Sequence, residues 1–416
     1  MKKLLVMFPQ GFPYSNHEPL LEYEFPLYKD HFDQVLVVTA CRRGRTAKHK
    51  ITDPTIEILK DYTLSGDFLS IIAALPRTLT DRMFYRELKQ LFRRKNFSFR
   101  KLRQIFATSL CANHRAALAY RWIRRHKEYH PTAIYSYWLH TSAYATIRLN
   151  QKLNGECFTI SRAQGFDLYL ERHKQRFIPF HRQIYANLDA VAVISHHGKE
   201  YLEERYGVFH KIRVHHLGVP DTGFLNPTVN RNTLRILTHS KTTPATRLNR
   251  LVDALSQIHD RAIHWTHIGN GDGQLSLERH AAAMLPPNVT AEFTGEIARA
   301  RVIDTYQTQP FHILVNLSEK EGSPVSIMEA MSFGIPAIAT AVDGTPELFD
   351  DGISGFLLDK NFEIQSLVDT ILNVMNMPEL EYHSLRTNAK TKSQQDYDAV
   401  TNFQKFLEEL SVTEKL

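Results

Sequence analysis

The stretch SEKEGSPVSIMEAMSFGIPAIATAVDGTPEL, residues 318–348, decides the fold prediction for this 416-residue chain. Ser323 is a favourable N-cap and Pro324 a favourable first helical residue, so a helix is expected to begin here. Gly334, followed two residues later by a proline, predicts where that helix ends. The apolar run that follows, residues 335–340, is typical of a short buried strand.

Glu329 is the unusual residue of this predicted helix. Val325, Glu329 and Phe333 are spaced four apart and therefore share one helix face, which is otherwise apolar. A buried carboxylate without a partner is costly, so a polar group is expected to meet it. A pair of ligand hydroxyls fits this requirement, and so does a buried arginine in an ordinary strand–helix–strand unit. Both interpretations stay open at this point.

A second helix start follows the short strand. The letters TPE at 345–347 combine an N-cap, a first helical proline and an acid in the first turn. Two helix N-termini would then stand at the carboxyl ends of neighbouring strands. Doubly wound sheets bind ligands at this edge, and backbone N–H groups there favour phosphate. The pattern indicates a site for a phosphorylated ligand, with Glu329 beside it.

The same stretch resembles the retaining glycosyltransferases of the GT-B fold, in particular glycosyltransferase family 4 (group 1). The family hallmark is a pair of glutamates separated by seven residues, here Glu321 and Glu329, and the stretch departs from the pattern at Asp343, a glycine position. The resemblance implies that Glu329 holds the ribose hydroxyls of a nucleotide. It also implies that Glu321, a catalytic candidate, lies by the donor sugar. Further donor contacts, to sugar and phosphate, are implied for Gly322, Ser323, Pro324 and Val325.

A leaving nucleoside diphosphate needs cations, and the resemblance implies an Arg and a Lys five residues apart in one loop. The corresponding loop, residues 240–247, has Lys241 at the Arg position and Thr246 at the Lys position. Arg247 lies one residue further on and is expected to substitute, because a guanidinium binds phosphate through two N–H groups. Lys241 and Arg247 are therefore catalytic candidates. The alternative is a surface loop with scattered charge.

Residues 267–273, HIGNGDG, end a predicted strand in a glycine-rich turn. Such turns are common, so the signal is weak by itself. The resemblance implies that this turn, with Gly269, lies near the nucleotide base.

In the first half, SRAQGFDLY at 161–169 resembles the acceptor-side motif R-x-H-G-x-D-L of the family. Gln164 stands at the histidine position, and glutamine cannot take up a proton at neutral pH, so a general base is not expected here. Asp167 is kept as a catalytic candidate. Aromatic faces suit sugars, although they also occur in cores. The other acceptor-side candidates are Gly165, Tyr14, Tyr137 and Trp138.

The composition is that of an ordinary soluble protein. The length of the chain is sufficient for two domains, each with its own hydrophobic core. No stretch approaches the roughly 18 apolar residues of a membrane span. The opening MKKLLVMFP is interpreted as the first strand, since its apolar part is too short for a signal peptide. Three dispersed cysteines fit a reduced, cytoplasmic protein.

Charge is divided unevenly along the chain. Residues 1–220 hold 35 Lys and Arg against 19 Asp and Glu, a net charge of +16, whereas residues 221–416 have a net charge of −9. The densest basic region, residues 77–127, is expected to contain an amphipathic helix, either at an anionic membrane surface or packed on the core. Nucleic acid is not expected as a partner, because no reader motif is present. The apolar stripe of that helix is Phe84, Leu88, Leu91 and Phe92.

Strand and helix patterns alternate along both halves, which predicts parallel sheets with helices on both faces. We therefore predict an α/β fold of two doubly wound, Rossmann-like sheets facing across a cleft, the GT-B architecture that the resemblance implies. The predicted domains are residues 1–220 on the acceptor side and residues 221–395 for the nucleotide sugar. Residues 396–416 are predicted to form a C-terminal helix that crosses back to the first domain.

The resemblance implies a retaining hexosyltransferase that uses a nucleoside-diphosphate sugar, with UDP favoured over GDP. Its acceptor would be a hydroxyl of a glycan or lipid-linked glycan in bacterial surface polysaccharide synthesis, in the cytoplasm or at the inner membrane. No cofactor or catalytic metal is expected, because adjacent histidines on a strand point to opposite faces and no metal-binding spacing is present. The alternatives are a non-catalytic GT-B partner that stabilises an active transferase, and a sugar-nucleotide epimerase or a phosphorylase.

Overall fold

The computed structural model describes residues 2–15, 18–63, 66–93, 97–207, 209–228 and 230–412. The chain divides into two compact units. The first comprises Met1–His216 and Val400–Leu416, and the second comprises Leu217–Ala399. The chain thus leaves the first unit and returns to it within a few residues of the divisions expected at 220 and 395.

The centre of the first unit is a parallel sheet, with seven strands among the described residues. The strands are β1 Lys2–Phe8, β2 Gln34–Ala40, β3 Ile56–Asp61, β4 Tyr129–Ser136, β5 Phe158–Ala163, β6 Ala190–Val193 and β7 Ile212–Val214. Their order in the sheet is β3-β2-β1-β4-β5-β6-β7. The chain therefore builds one half of the sheet from β1 outward and then reverses through β4.

Helices cover both faces of this sheet because its central strands are apolar on both sides. In β1, Leu4 and Val6 belong to the core on one face, while Leu5 and Met7 belong to the core on the other. The helices of this part are α1 Leu21–Glu24, α2 Phe68–Leu79, α3 Arg82–Arg93, α4 Phe99–Arg125, α5 Thr141–Lys152, α6 His181–Asn187 and α7 His196–Tyr206.

The second unit repeats the design with a parallel sheet that has six strands in the described part of the chain. The strands are β8 Thr233–His239, β9 Ala262–Ile268, β10 Val289–Gly295, β11 Ile313–Asn316, β12 Ala337–Thr340 and β13 Gly355–Leu358. The helices are α8 Leu248–Leu255, α9 Gln274–Met284, α10 Arg299–Thr308, α11 Val325–Ser332, α12 Ile364–Asn376 and α13 Glu379–Asp396. The strand order is β10-β9-β8-β11-β12-β13, so the order reverses between β8 and β11.

The last helix, α14 Ala399–Val412, belongs to the first unit from Val400 onward. Its Phe406 packs on Tyr135 of β4 with the ring centroids 5.0 Å apart, and Leu407 and Leu410 are buried in the same core. The C-terminal helix therefore completes the apolar face of the first sheet. The α/β class and the two doubly wound parallel sheets predicted from the alternation are confirmed.

Candidate active site

Glu329 lies at the place in the second sheet where the strand order reverses. It is on α11, which follows β11, and its nearest strand-end neighbour is His239, the last residue of β8. Strands β8 and β11 are hydrogen-bonded neighbours whose connections run in opposite directions. Open α/β sheets bind ligands at this kind of switch point, outside the carboxyl ends of the strands.

An arginine meets the Glu329 carboxylate. The side chain of Glu329 is only 3% exposed, and its Oε1 lies 2.7 Å from Nη2 of Arg299, the first residue of α10. The Arg299 side chain is itself 26% exposed, so the pair lies at the rim of the interior and not deep within it. The sequence left two partners for Glu329 open, a pair of ligand hydroxyls and a buried arginine. The structure supplies an arginine, and its side chain is partly exposed to water.

His239 completes this group. Its Nδ1 lies 3.5 Å from the other carboxylate oxygen of Glu329 and 3.1 Å from the hydroxyl of Tyr306, which is fully buried. Burial lowers the pKa of His239, and the nearby Glu329 charge opposes that effect. Burial also raises the pKa of Tyr306, with the charge of Glu329 adding to it. Among the described residues, Arg299 is thus the cationic neighbour of the carboxylate, and burial favours the uncharged forms of His239 and Tyr306.

Helix α11 begins one residue later than predicted. The structure places Pro324 at the N-cap position and Val325 as the first helical residue, so Ser323 is not the N-cap. Pro324 has an extended ψ of 110°, and no side chain among the described residues caps the helix. The first N–H groups of a helix have no acceptor within it, which suits an anion. Pro324 lacks an N–H group, so only Gly322, Ser323 and Val325 can offer a backbone amide of the kind expected.

Glu321 and Asp343 join the loops that follow β11 and β12. The backbone N–H of Glu321 donates to Oδ2 of Asp343 at 2.9 Å. Asp343 has a φ of +47°, the left-handed region that favours glycine and that Asp and Asn tolerate best among other residues. The departure from the family glycine therefore keeps the backbone shape and adds a hydrogen bond to Glu321.

The second helix start expected at 345–347 is wrong. Thr345–Glu347 form a single 3-10 turn, and its N-cap position is held by Gly344 with no side-chain cap. The hydroxyl of Thr345 is buried. Of the two helix N-termini predicted for this edge, the structure therefore has one, that of α11.

The glycine-rich turn after β9 packs against the loop that follows β8. A Cβ on Gly269 would lie 1.9 Å from the carbonyl oxygen of Ser240, and one on Gly271 would lie 2.3 Å from that of Thr242. Both glycines are required by this close approach, whatever ligand binds nearby. The expected contact of Gly269 with a nucleotide base stays a prediction.

The expected cation loop has one outward cation. Lys241 is exposed on the loop after β8. The Thr246 hydroxyl donates to the carbonyl of Thr243 and accepts from its N–H, which closes a capping box around a short 3-10 turn. Thr246 stands at the position where the resemblance implies a lysine. Its hydroxyl stabilises the short 3-10 turn that it ends.

Arg247 holds loops together through its guanidinium. It donates to the carbonyl oxygens of Leu317 at 2.5 Å, Ser318 at 3.3 Å and Lys360 at 2.8 Å. It also lies 5.2 Å from the ring centroid of Phe362. These bonds place the loop after β8 against the end of β11, so phosphate binding by Arg247 stays a prediction that competes with this structural role.

Four acceptor-side candidates of the first unit follow the carboxyl ends of β4 and β5, whereas Tyr14 follows β1. The amide of Gln164 donates to the Tyr137 carbonyl at 3.3 Å. The buried Asp167 accepts from the N–H of Gln164 at 2.8 Å and from that of Leu139 at 2.6 Å. Burial raises the pKa of Asp167 to about 6, and these two hydrogen bonds oppose the rise. Asp167 therefore fixes the two loops, and a direct role in catalysis stays a prediction.

Sequence reasoning missed Glu18, a buried carboxylate in the same unit. It accepts from the N–H groups of Gln10, Gly11 and Phe12, and from the indole of Trp138 at 2.9 Å. Successive N–H groups in a turn after a strand form an anion-binding nest, and here the chain's own carboxylate occupies it. Trp138 is thereby held in place.

The remaining acceptor-side candidates are buried. Tyr137 is 2% exposed and lies 5.5 Å from the guanidinium of Arg162. Tyr14 is 7% exposed, with the amine of Lys60 5.0 Å from its ring. The carbonyl of Gly165 accepts from the N–H of Tyr169. Their proposed contacts with a sugar stay predictions.

Arg299, His239 and Tyr306 around Glu329 were also missed by sequence reasoning. His239 ends a strand beside the switch point, so its position in the pattern was a usable signal. Arg299 opens a helix whose sequence carries no motif, and only the packing of α10 against α11 brings it to Glu329.

Residues 227–392 match the model of the family described as glycosyl transferases group 1. A Salmonella typhimurium protein named as a colanic acid biosynthesis glycosyltransferase, WcaL, is 24% identical over 254 residues, which cover 59% of this chain and 62% of that protein. Escherichia coli WcaL is 23% identical over 242 residues, 56% of this chain and 59% of that protein. The chain therefore spans less than two thirds of the length of these relatives.

Two solved structures are similar over nearly the whole chain. The lipopolysaccharide outer core galactosyltransferase WaaB has a TM-score of 0.70, with 15% identity and full coverage of both chains. Anabaena HepE, solved in complex with UDP, has a TM-score of 0.67, with 16% identity over 99% of this chain and all of that one. Residues 227–392 thus match the glycosyl transferases group 1 model, and the chain has the GT-B fold of these solved structures.

Proposed function

We propose that the chain is a retaining glycosyltransferase that moves a hexose from a UDP-sugar to a hydroxyl of a glycan or lipid-linked acceptor. The single observation that carries the proposal is Glu329, a nearly buried carboxylate at the switch point of the second sheet, one turn into α11. A carboxylate can accept from two neighbouring ribose hydroxyls, and the helix N-terminus favours the adjoining phosphates.

The similar proteins support the finer parts of this proposal. HepE was solved with UDP-glucose, which supports a UDP-sugar as donor. The names of WaaB and WcaL, which refer to lipopolysaccharide and colanic acid, support an acceptor in bacterial surface polysaccharide synthesis. The net charge of +16 over residues 1–220 supports an acceptor met at the inner membrane face.

The proposed chemistry relies on placing two substrates and stabilising the departing diphosphate. Lys241, which is exposed on the loop after β8, would offset the charge that develops on that leaving group. Glu321 would lie by the donor sugar, on the loop that its N–H bond to Asp343 holds. The leaving diphosphate would take the proton of the acceptor hydroxyl on the same face of the sugar, so no metal ion is required.

A non-catalytic GT-B partner protein is the second candidate. Two observations favour it: the Thr246 hydroxyl is used within its own turn, and the Arg247 guanidinium is bonded to carbonyl oxygens. Thr246 stands at the position of one of the two cations that a diphosphate leaving group needs, and Arg247 is the residue expected to replace that cation.

One experiment separates these functions. The full chain is incubated with UDP-glucose, UDP-galactose, UDP-N-acetylglucosamine, GDP-mannose and ADP-glucose, with and without EDTA. The slow release of nucleoside diphosphate is measured, with the hydroxyl of water taking the hexose in place of the acceptor. We expect release from a UDP-sugar that EDTA does not reduce, and loss of both UDP binding and release in Glu329→Ala. UDP binding without release from any donor would identify the partner protein. UDP binding that is unchanged in Glu329→Ala would overturn the site.

A further inference from the structure

Helix α2 is amphipathic in the opposite sense to an ordinary surface helix. Its buried residues are the small Ser70, Ala74 and Thr78, spaced four apart on the face that packs on α4. Its apolar residues face outward, with Phe68 at 71% and Leu69 at 72% exposure. The exposed apolar residues, named here the α2 stripe, are Phe68, Leu69, Ile72, Leu75 and Leu79.

The spacing of the α2 stripe makes it one continuous surface. Its members fall at i, i+1, i+4, i+7 and i+11 and therefore share one side of the helix. The helix has 12 residues and is about 18 Å long. Single exposed leucines are common on protein surfaces, whereas a contiguous apolar patch of this kind marks an interaction site.

Basic side chains adjoin the stripe. The hydroxyl of Tyr85 on α3 donates to the carbonyl of Leu79 at 2.8 Å, which places the start of α3 beside the end of the α2 stripe. The exposed residues of α3 on the side of Tyr85 include Arg82, Arg86 and Lys89. A cationic region beside an apolar helix face complements an anionic phospholipid surface, which offers acyl chains and negative headgroups together.

An exposed aromatic group lies at the other end of α3. Phe92, at the end of that helix, stacks on Phe97 with ring centroids 5.2 Å apart, and Phe97 contacts Phe99 at 5.4 Å. Phe92 is 58% exposed, whereas Phe84 and Leu91 of the same apolar stripe are buried, so the stripe packs partly on the core and is partly open to solvent. Phenylalanine is among the apolar side chains that interfacial helices bury at the boundary between headgroups and acyl chains.

We propose that the α2 stripe is a membrane-docking surface that inserts among the acyl chains of an anionic bilayer, with the exposed cations of α3 at its headgroups. Among the described residues, no helix has the length and apolar character needed to cross a bilayer. The α2 stripe would therefore lie in the plane of the membrane surface. This surface rests on the proposed function, because it would bring the chain to the membrane that holds a lipid-linked acceptor. Its test uses neither donor nor acceptor, so the two proposals can fail separately.

The test is flotation of the purified full chain with vesicles of phosphatidylcholine alone or mixed with phosphatidylglycerol. We expect binding to the mixed vesicles only, and weaker binding at ~1 M salt, where the screening length falls to ~3 Å. The triple variant Phe68→Ser, Leu69→Ser, Ile72→Ser should bind at least about tenfold more weakly, a loss of ~1.4 kcal/mol. The matched control is Leu275→Ser with Leu380→Ser, two exposed leucines of the second unit. Equal binding by the triple variant would overturn the proposal.

A second measurement keeps the proposal testable if the triple variant folds poorly. The three native cysteines are buried, so Phe68→Cys can be labelled selectively with a polarity-sensitive fluorophore. We expect a blue shift on adding anionic vesicles, and none from the same label on Leu275→Cys. No shift at position 68 would contradict insertion. A wild-type dimer that becomes monomeric in the triple variant would identify a second copy as the occupant and overturn the membrane assignment. Loss of vesicle binding with unchanged nucleotide release would leave the proposed sugar transfer intact.

Discussion

The guanidinium of Arg299 lies 2.7 Å from the carboxylate of Glu329, and this ion pair joins the first turn of α10 to the middle of α11. Glu329 is 3% exposed, so removal of Arg299 would leave a nearly buried carboxylate without this cation. Arg299 is 26% exposed, so the pair is accessible from solvent through the arginine side chain. The pair therefore links the stability of the second unit to the candidate nucleotide site.

Replacing Arg299 by alanine is expected to destabilise the second unit by about 1–2 kcal/mol. This is less than the loss for a fully buried pair, because water reaches a quarter of the Arg299 side chain. Urea unfolding of the variant measures the loss. Arg301→Ala is the matched control on the same helix, since that residue is 75% exposed and its change should stay within about 0.5 kcal/mol. Equal losses in both variants would contradict the assigned partnership.

Acidification is expected to destabilise the chain, partly through the buried His267. Its two ring nitrogens are hydrogen-bonded to the hydroxyls of Thr238 and Thr242. Burial lowers its pKa to about 4. Between that pKa and ~6.5 the unfolded state binds more protons, so stability falls as pH falls, by about 2 kcal/mol from pH 7 to pH 5.

The measurement is the free energy of unfolding of the wild type and of His267→Gln at both pH values. The variant should lose less stability on acidification than the wild type. Other buried groups cancel in this comparison, among them Asp167, whose raised pKa acts in the opposite direction. An identical pH dependence in the two proteins would contradict the assignment.

Restoring the family glycine at Asp343 is expected to cost little stability. The left-handed backbone at φ +47° suits glycine, which offsets the lost hydrogen bond to the Glu321 N–H. Asp343→Ala loses the bond and keeps the strain, so it should be about 1–2 kcal/mol less stable than Asp343→Gly. Thermal unfolding of both variants checks this order, with Asp343→Asn as the control that keeps an acceptor. Alanine as stable as glycine would show that the backbone here is not strained.

Introducing the missing family cation at Thr246 is expected to trade stability for nucleotide affinity. Thr246→Lys breaks the capping box with Thr243, at a cost of about 1 kcal/mol. If the loop faces the diphosphate, the new ammonium should tighten UDP binding about tenfold. Calorimetric titration with UDP measures the affinity. Ala245→Lys, which adds the same charge at the exposed neighbouring position, is the control. Equal effects of the two lysines would show a general charge effect and no phosphate contact.

Sequence reasoning succeeded where the pattern is local and repeated. The alternation of strands and helices identified two parallel sheets, and Gly334 with Pro336 identified the end of α11. It gave no sign of β3, an edge strand whose residues are mostly half-buried, or of β13, which has only four residues. Weak periodicity and short length remove the signal on which such predictions depend.

Prediction of the site was limited in a different way. Glu329 was found because a charge on an apolar helix face is costly wherever the chain goes. Arg299 and Glu18 were not found, because their partners come from other segments of their own unit. Arg247 carries the charge expected of a phosphate ligand, yet the carbonyl oxygens of Leu317 and Lys360 engage it.

The sequence alone determined most of the helices and strands and where a carboxylate needs a partner, because periodicity, capping and the cost of burying charge act over a few neighbouring residues. The tertiary structure alone decided which partner each polar group has, and that the apolar side of α2 faces outward while Ser70, Ala74 and Thr78 pack inward. The spacing of an apolar stripe in the sequence is the same whether the stripe faces the core or the solvent. Only the close packing of α2 on α4, which small side chains permit, selects the face that is buried.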